Sequence, residues 1–311
     1  MPKTGITALV PPEIIFACGG APFDVNNVIP ASKKYPRNKL CAWTAIWKEM
    51  LVNREIQIDS LVVVAGGDCH NALVDGQKVA MSGLPTHFFF YPFDGDPEYL
   101  ESQMYRLTEF LGSIRYPERF KEVRELKKLG RMIDDRRCCG KISPAEAFST
   151  LISFSDLRGD PGMFKRTIEA IREGDFELDN RVALIGVPPI YQDFHEAAQS
   201  LGLQIVFDEL PYEFIRHEGT DIRDTARSYC NYTFARPLGL RINFLKKELD
   251  KRKVDGVIHY TQFACHHMLE DEVLRKELDY PVLTVQGDLP GSTPQQIKLR
   301  LEAFREMLDR L

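Results

Sequence analysis

The sequence predicts an α/β protein with two parallel-sheet domains joined by a helical connector. Its 311 residues suit two domains of about 100–150 residues each. Strand-like and helix-like segments alternate near the start of the chain and again in its second half, which indicates parallel sheets. The stretch between them, 118–174, has helical spacing and many charges but no strand pattern. We therefore divide the chain into an N-terminal α/β domain (1–115), a helical connector (116–175) and a C-terminal α/β domain (176–311).

In the N-terminal domain, a continuous β-branched run predicts a buried strand over Leu61–Ala65. A second strand is expected over Thr86–Tyr91, and a weaker candidate is Val25–Ile29. Apolar spacing predicts helices over Leu40–Val52, Asn71–Ser82 and Pro97–Leu111. In the connector, Ser143 followed by Pro144 is typical of a helix start, with serine as the N-cap.

The C-terminal domain repeats the alternation and predicts four parallel strands. The strands are expected over Arg181–Val187, Gln204–Phe207, Gly256–Tyr260 and Val282–Val285. The helices are expected over Ile190–Leu201, Ala235–Arg252, Cys265–Leu278 and Pro294–Leu311. Both halves are thus expected to be Rossmann- or flavodoxin-like, with ligands in the crevice beyond the carboxyl ends of the strands.

Composition excludes several classes of protein. The chain has 40 basic and 45 acidic residues and a net charge of -5, so no basic excess favours nucleic-acid binding. No apolar run approaches the roughly 18 residues of a membrane helix, and Met1–Pro12 lacks the features of a signal peptide. We therefore expect a cytoplasmic protein with no membrane partner. In a reducing compartment, seven cysteines are expected to be core thiols, a nucleophile or metal ligands rather than disulfides.

Three cysteines stand at or near predicted helix starts. Cys69 and Cys265 each follow a predicted parallel strand, and Cys41 opens the helix in "NKLCAWTAIWKEM". A helix N-terminus favours thiolate over thiol, and thiolate is the form that binds metal. Three thiolates from two domains could therefore meet in the interdomain cleft and hold zinc or an iron–sulfur cluster. There is no CxxC pair, so buried or incidental cysteines remain the alternative.

Other residues near these cysteines are candidates for catalysis or for ligand contact. His70 and His266, beside Cys69 and Cys265, could donate hydrogen bonds to a cluster or protonate a substrate, but could equally be helix-surface residues. Asp288 follows the last strand and could line the cleft or be a turn residue. Glycines at strand ends permit close backbone contact with a ligand, or form ordinary tight turns; these are Gly66, Gly67 and Gly186.

The remaining cysteines and one further histidine are expected to be structural. Cys18 lies in an apolar, helix-like stretch. Cys138 and Cys139, beside "DDRR", are expected in a solvated turn, and Cys230 is expected to have a core or packing role. His195, in "YQDFHEAAQ", is expected to pack on a helix.

Six segments, in order along most of the chain, resemble the 2-hydroxyacyl-CoA dehydratase D-component family, which includes benzoyl-CoA reductase subunits and double-cubane cluster proteins. They are "PPEIIFACGGAPF", "CAWTAIWKEML", "GDCHNAL", "GVPPIYQDFHEAAQSLGLQIVFDE", "VDGVIHYTQFACHHMLEDEVLRKEL" and "YPVLTVQGDLPGSTPQQIKLRLEAFREML". The resemblance implies two α/β domains that hold an oxygen-sensitive iron–sulfur cluster between them. The family's three ligand cysteines correspond by segment to Cys41, Cys69 and Cys265.

The resemblance also implies a reaction and partners. A separate ATP-dependent activator supplies a low-potential electron, and the cluster-bearing subunit, a homodimer or a heterodimer with a paralogous subunit, dehydrates or reduces an activated substrate through a ketyl radical. The cofactor implied is a 4Fe-4S cluster or a double-cubane 8Fe-9S cluster.

The chain departs from the family pattern in three ways. Cys18 stands where many relatives carry a small residue, so it could be an additional ligand for a larger cluster. The chain is short for the family, which argues against binding of an acyl-CoA. The residue that follows Cys69 is His70, whereas an acidic residue usually follows this cysteine in the family. The alternatives are reduction of a small substrate that is not a CoA thioester, a non-catalytic subunit of a heterodimer, and a structural zinc protein.

Overall fold

The computed structural model describes residues 1–36, 40–66 and 69–311, and contains two four-stranded, all-parallel sheets. The strands of the first sheet, β1 to β4, are Lys3–Thr7, Ala21–Asp24, Ser60–Gly66 and Thr86–Phe90. Those of the second, β5 to β8, are Arg181–Gly186, Gln204–Asp208, Gly256–Gln262 and Val282–Gly287. The predicted α/β class with two parallel-sheet domains is confirmed.

The two sheets share one topology. The strand order is β2-β1-β3-β4 in the first sheet and β6-β5-β7-β8 in the second. In each half, the second strand pairs with one side of the first strand, and the third strand pairs with its other side. This reversal places a topological switch point between β1 and β3 and another between β5 and β7, where open α/β sheets bind their ligands.

Thirteen α-helices are assigned in the described parts of the chain. Those of the first half, α1 to α4, are Pro12–Ala17, Ala42–Val52, His70–Met81 and Pro97–Leu111. The middle of the chain forms α5 to α7: Glu118–Cys138, Pro144–Ile152 and Pro161–Glu169. The rest, α8 to α13, are Phe194–Ser200, Glu209–Arg216, Ile222–Tyr229, Leu238–Arg252, Asp271–Glu277 and Gln295–Leu308. None of the helices in these described ranges is long and apolar enough to cross a membrane.

Several predicted elements differ from those observed. The weak strand over Val25–Ile29 is wrong: Val25–Val28 forms a 3-10 helix, because the Asp24 side chain accepts a hydrogen bond from the Asn26 backbone N–H over 2.9 Å and ends the strand there. The helix predicted from Cys265 is divided into a 3-10 helix, His266–Glu270, and α12. The prediction also lacked β1, β2, α9 and α10.

The helical connector packs against both halves. Its longest helix, α5, contacts α1 and α9, and α6 also contacts α9. Ser143 caps α6 as predicted, accepting a hydrogen bond from the Glu146 N–H over 3.2 Å. Lys127 of α5 is fully buried, and its ammonium group lies 3.2 Å from both carboxylate oxygens of Glu13 on α1. The connector is therefore part of the core, because a buried ion pair fixes it to the first domain.

Candidate functional site

A cavity of about 440 Å³ lies between the two sheets at the carboxyl ends of their strands. In the first half, Thr7 at the end of β1 and Cys69 after β3 contribute to its wall. In the second half, Val187 after β5 and Gln262 at the end of β7 do the same. The cavity therefore adjoins both topological switch points, as Rossmann-like sheets predict.

The three predicted ligand cysteines all line this cavity. Cys41 occupies the N-cap of α2, Cys69 the N-cap of α3, and Cys265 the N-cap of the 3-10 helix His266–Glu270. The Cys69 sulfur accepts a hydrogen bond from the Ala72 N–H over 3.4 Å. Three segments distant in the sequence thus bring thiols to one cavity.

The other cysteines lie elsewhere. All seven fall within the described ranges, and none forms a disulfide. Cys18 is buried in the core, where burial raises the pKa of its thiol to about 11. Cys138 ends α5, and its thiol donates a hydrogen bond to the Val206 carbonyl. Cys139 is exposed, and the Cys230 thiol donates a hydrogen bond to the Arg227 carbonyl. None of these four cysteines lines the cavity. The solvated turn expected at Cys138 is wrong, because Cys138 belongs to helix α5 and packs against the core of the second domain.

Three thiols that line one cavity are a donor set that an iron–sulfur cluster could use. Across the residues that the structure describes, no three histidine, cysteine, aspartate or glutamate side chains are arranged to hold one metal ion. A structural zinc ion needs four ligands around one point, whereas the cysteines that hold a cluster each bind a different iron. Two buried polar atoms of the wall also have no hydrogen-bond partner among the described residues: Trp43 Nε1 and Gln262 Oε1. The Trp43 N–H could donate a hydrogen bond to a cluster sulfide.

Burial opposes the predicted effect of the helix N-terminus at Cys41. It raises the pKa of the Cys41 thiol above the ordinary value, while hydrogen bonds from the backbone N–H groups of Thr44 and Trp43 lower it. Burial is the larger influence. A metal bound at Cys41 would therefore have to displace a proton from a thiol that the protein alone keeps neutral.

Two histidines follow Cys265 and line the cavity. The rings of His266 and His267 lie 4.1 Å apart, and His267 Nδ1 lies 3.0 Å from a Glu270 carboxylate oxygen. Burial lowers the pKa of His266 to about 4, so its imidazole is neutral at pH 7. Glu270 pairs in turn with the buried Arg241. This network fixes the orientation of His267 beside the cysteine.

Most of the other predicted site residues do not line the cavity. His70 is exposed, and its ring packs edge-on against His266 at 5.3 Å. The Asp288 side chain is exposed, and its backbone carbonyl accepts a hydrogen bond from Gln262 Nε2 over 2.6 Å. The catalytic roles of His70, His266 and Asp288 stay predictions.

The glycines have packing explanations. A Cβ at Gly66 would lie 2.8 Å from the Phe90 side chain, and one at Gly186 would lie 2.3 Å from the Tyr260 carbonyl oxygen. Gly186 also has a φ of +92°, and its N–H donates to Glu209 over 2.8 Å. The predicted contact of Gly66 and Gly186 with a cofactor stays a prediction, and Gly67 lies outside the described residues.

His195, which the sequence predicts to pack on a helix, also lines the cavity. Its ring stacks on Phe148 of α6 at a centroid distance of 4.0 Å, and its Nε2 lies 2.8 Å from Asp208 Oδ1. Arg137 of the connector pairs with the same aspartate, and His195 and Arg137 together hold the pKa of Asp208 below its ordinary value against the effect of burial. An aspartate at the end of β6 and an arginine in a distant helix leave no local sequence signal.

Asp24 is a second residue that the sequence did not reveal. It ends β2, lines the cavity and is only 2% exposed. Its backbone N–H donates to the Asp156 carboxylate over 2.9 Å, and its side chain accepts from the backbone and side chain of Asn26. The misassigned strand over Val25–Ile29 concealed its position at the end of a real one.

The fold and the cavity define a class of two-domain α/β protein in which parallel sheets enclose a thiol-lined, ligand-sized cavity at their switch points. The chain matches the family model described as "2-hydroxyglutaryl-CoA dehydratase, D-component" over residues 7–308 and belongs to that family. This family supplies components of 2-hydroxyacyl-CoA dehydratase-type enzyme systems, and it works with a separate ATP-dependent activator and a partner subunit. A comparison with curated proteins gives no match.

Proposed function

We propose that the chain is the iron–sulfur component of a 2-hydroxyacyl-CoA dehydratase or benzoyl-CoA reductase-type system. In this proposal Cys41, Cys69 and Cys265 hold a 4Fe-4S cluster, and a low-potential electron passes to a substrate in the cavity. The observation that carries the proposal is the convergence of three cysteines, each at an N-cap, on one cavity between the sheets. Membership of the family supports it.

Three thiolates on a four-iron cube leave one iron for a substrate, and the bound cluster would supply one-electron chemistry there. The protein's own residues would bind and orient the substrate and shield it from water. Trp43 and Phe148 give the cavity an apolar wall that excludes water, and Gln262 and Asn71 offer hydrogen bonds. The electron would come from the ATP-dependent activator, and the working assembly would be a homodimer or a heterodimer with a paralogous subunit.

Anaerobic purification tests this proposal. We expect brown protein with a broad visible absorption shoulder, acid-labile sulfide in proportion to iron, and bleaching in air. Colourless protein with stoichiometric zinc and no sulfide would contradict the proposal and favour a structural metal site. A double-cubane cluster would double the iron bound per protein, so the iron-to-protein ratio distinguishes the two cluster types.

A second candidate is reduction of a small substrate that is not a CoA thioester. Among the cavity-lining residues that the structure describes there is no lysine or arginine, while Asp24 and Glu196 carry carboxyl groups. Phosphate groups of CoA are usually bound by cationic side chains or by backbone N–H groups at helix starts. Here three helix starts that face the cavity carry the cysteines. These features favour a compact, uncharged substrate.

A further inference from the structure

Asp24 of the cavity wall belongs to a pair of buried carboxyl groups that forms no ion pair within the described parts of the chain. Asp24 and Asp156 are 2% and 4% exposed, and the Asp24 N–H donates to an Asp156 carboxylate oxygen over 2.9 Å. Neither forms an ion pair with any lysine, arginine or histidine of the described ranges. The other buried carboxyl groups all pair with lysine or arginine: Glu13, Asp75, Asp134, Asp208, Glu209 and Glu213.

An unbalanced buried carboxylate is costly, so such a group takes up a proton instead. Two carboxyl groups in contact raise that cost further, because both cannot ionise easily. Burial first, and then the neighbouring Asp156, raise the pKa of Asp24 to about 7, although hydrogen bonds from Asn26 and Ser155 oppose the rise. Burial likewise raises the pKa of Asp156.

The surroundings indicate which member of the pair carries the proton. Asp156 accepts backbone hydrogen bonds from Asp24 and from Arg158, the second over 2.8 Å, and the charge of Arg158 acts on it favourably. Hydrogen bonds and a nearby cation stabilise the ionised form. Asp24 has no nearby cation among the influences on its pKa, and it is the member of the pair that lines the cavity.

We propose that Asp24 is a catalytic acid that delivers a proton into the cavity, with Asp156 as its positioning residue. The Asp24 O–H bond breaks, a new O–H bond forms on a basic oxygen of the substrate, and a carboxylate remains on Asp24. After the product leaves, a hydronium ion from the solvent restores the proton to Asp24 and leaves a water molecule. This inference rests on the proposed function, because a substrate oxygen that gains an electron from the cluster becomes basic enough to accept the proton.

The first experiment is infrared spectroscopy of the cluster-free protein, which needs neither iron nor a substrate. We expect the carbonyl band of a protonated carboxyl group at pH 6, its loss with a midpoint near pH 7, and its absence in Asp24→Asn. Asp75→Asn is the matched control, since Asp75 is equally buried but pairs with Lys78. It should keep the band. A wild-type protein without the band, or an Asp24→Asn protein that retains it, would overturn the proposal.

The second experiment asks whether Asp24 faces the cavity, and it needs no variant. A hydrophobic carbodiimide modifies protonated carboxyl groups that it can reach. We expect peptide mapping to find modification at Asp24, about tenfold or more slower at pH 8.5 than at pH 6 as the acid ionises. Unmodified Asp24, or modification that does not slow with pH, would overturn its role as a donor. Because neither readout needs iron, a failed iron assay would contradict the proposed function alone.

Discussion

The side-chain amide of Asn71 donates a hydrogen bond to the backbone carbonyl of Ala264 over 2.9 Å. Asn71 lies two residues after Cys69, and Ala264 lies immediately before Cys265, so this contact joins two of the cysteine loops across the cleft. Ala264 has a φ of +62°, a left-handed conformation that is uncommon for alanine. The second loop is therefore held in a strained conformation beside its cysteine.

We expect Asn71→Ala to weaken cluster retention without unfolding the protein. An exposed hydrogen bond contributes about 0.5–1.5 kcal/mol, so the free energy of unfolding should fall by no more than that. Iron loss to a chelator should be faster than in wild type, because the two loops are no longer joined. Asn231→Ala, which removes a hydrogen bond to Arg227 on the far helix α10, is the control. Equal iron retention in both variants would argue against the role of Asn71.

The cysteine assignment predicts a clear division among variants. Cys41→Ala, Cys69→Ala and Cys265→Ala should each lose most of the bound iron after anaerobic reconstitution, because each removes one ligand. Cys138→Ala and Cys139→Ala should retain it. Cys18→Ala should also retain iron, because Cys18 lies in the core away from the cavity; a lowered iron content there would indicate a larger cluster. The ligand assignment would be wrong if Cys265→Ala kept its iron and Cys139→Ala lost it.

The buried pair between the connector and α1 predicts a strong effect on stability. Lys127→Met leaves Glu13 buried without a cation, which costs about 3–5 kcal/mol in the free energy of unfolding. The double variant Glu13→Gln/Lys127→Met should recover much of this loss, since no charge is then left unpaired. Lys128→Met is the control, because Lys128 is exposed and pairs with exposed Glu125. Urea unfolding measures all three, and similar losses for Lys127→Met and Lys128→Met would contradict the prediction.

The raised pKa of Asp24 predicts that the free energy of unfolding falls as the pH rises. This folded-state pKa of about 7 lies above the ordinary 3.8, so between these values the unfolded chain is ionised while the folded protein keeps its proton. Stability is therefore lost from about pH 4 to pH 7 and is level above. Asp24→Asn lacks this loss, and relative to wild type it should gain up to about 4 kcal/mol between pH 4 and pH 8. Unfolding of wild type and of Asp24→Asn at pH 4 and at pH 8 measures this gain. A difference in the free energy of unfolding that is the same at both pH values would contradict the prediction.

Calorimetric titration with CoA and with several acyl-CoA compounds tests the substrate class. With reduced, cluster-loaded protein, we expect weak or no binding, since the described cavity wall offers carboxyl groups and no lysine or arginine. Micromolar binding of any acyl-CoA would contradict this expectation and favour the stricter dehydratase function. The cluster prediction is independent of either result, because it depends on the cysteines.

Local patterns in the sequence predicted the second sheet well. Strand β3 and helix α4 were also clear, because a continuous β-branched run and amphipathic spacing are local signals. Strands β1 and β2 were not found, since Lys3–Thr7 and Ala21–Asp24 are short and contain glycine, proline or charged residues that do not resemble a strand. Tertiary packing, rather than local propensity, makes them strands.

The same limit applies to the candidate site. Cys41, Cys69 and Cys265 could be found because each stands at a helix start, which is visible in the sequence. Asp24 and His195 could not, because their properties come from partners far along the chain. The proton affinity of Asp24 depends on Asp156, and the position of His195 depends on Phe148 and Asp208.

A cavity walled by residues from both sheets couples the binding of an occupant to the docking of the two halves of the chain. Whatever fills it contacts Thr7 and Cys69 on one side and Val187 and Gln262 on the other. An occupant that requires both walls binds the docked halves better than the separated ones, and it stabilises docking by RT ln(1 + [L]/Kd). The halves must be docked before such an occupant can bind tightly, and the bound occupant then slows their separation. Protection of the interdomain segments from proteolysis thus measures occupancy of the cavity.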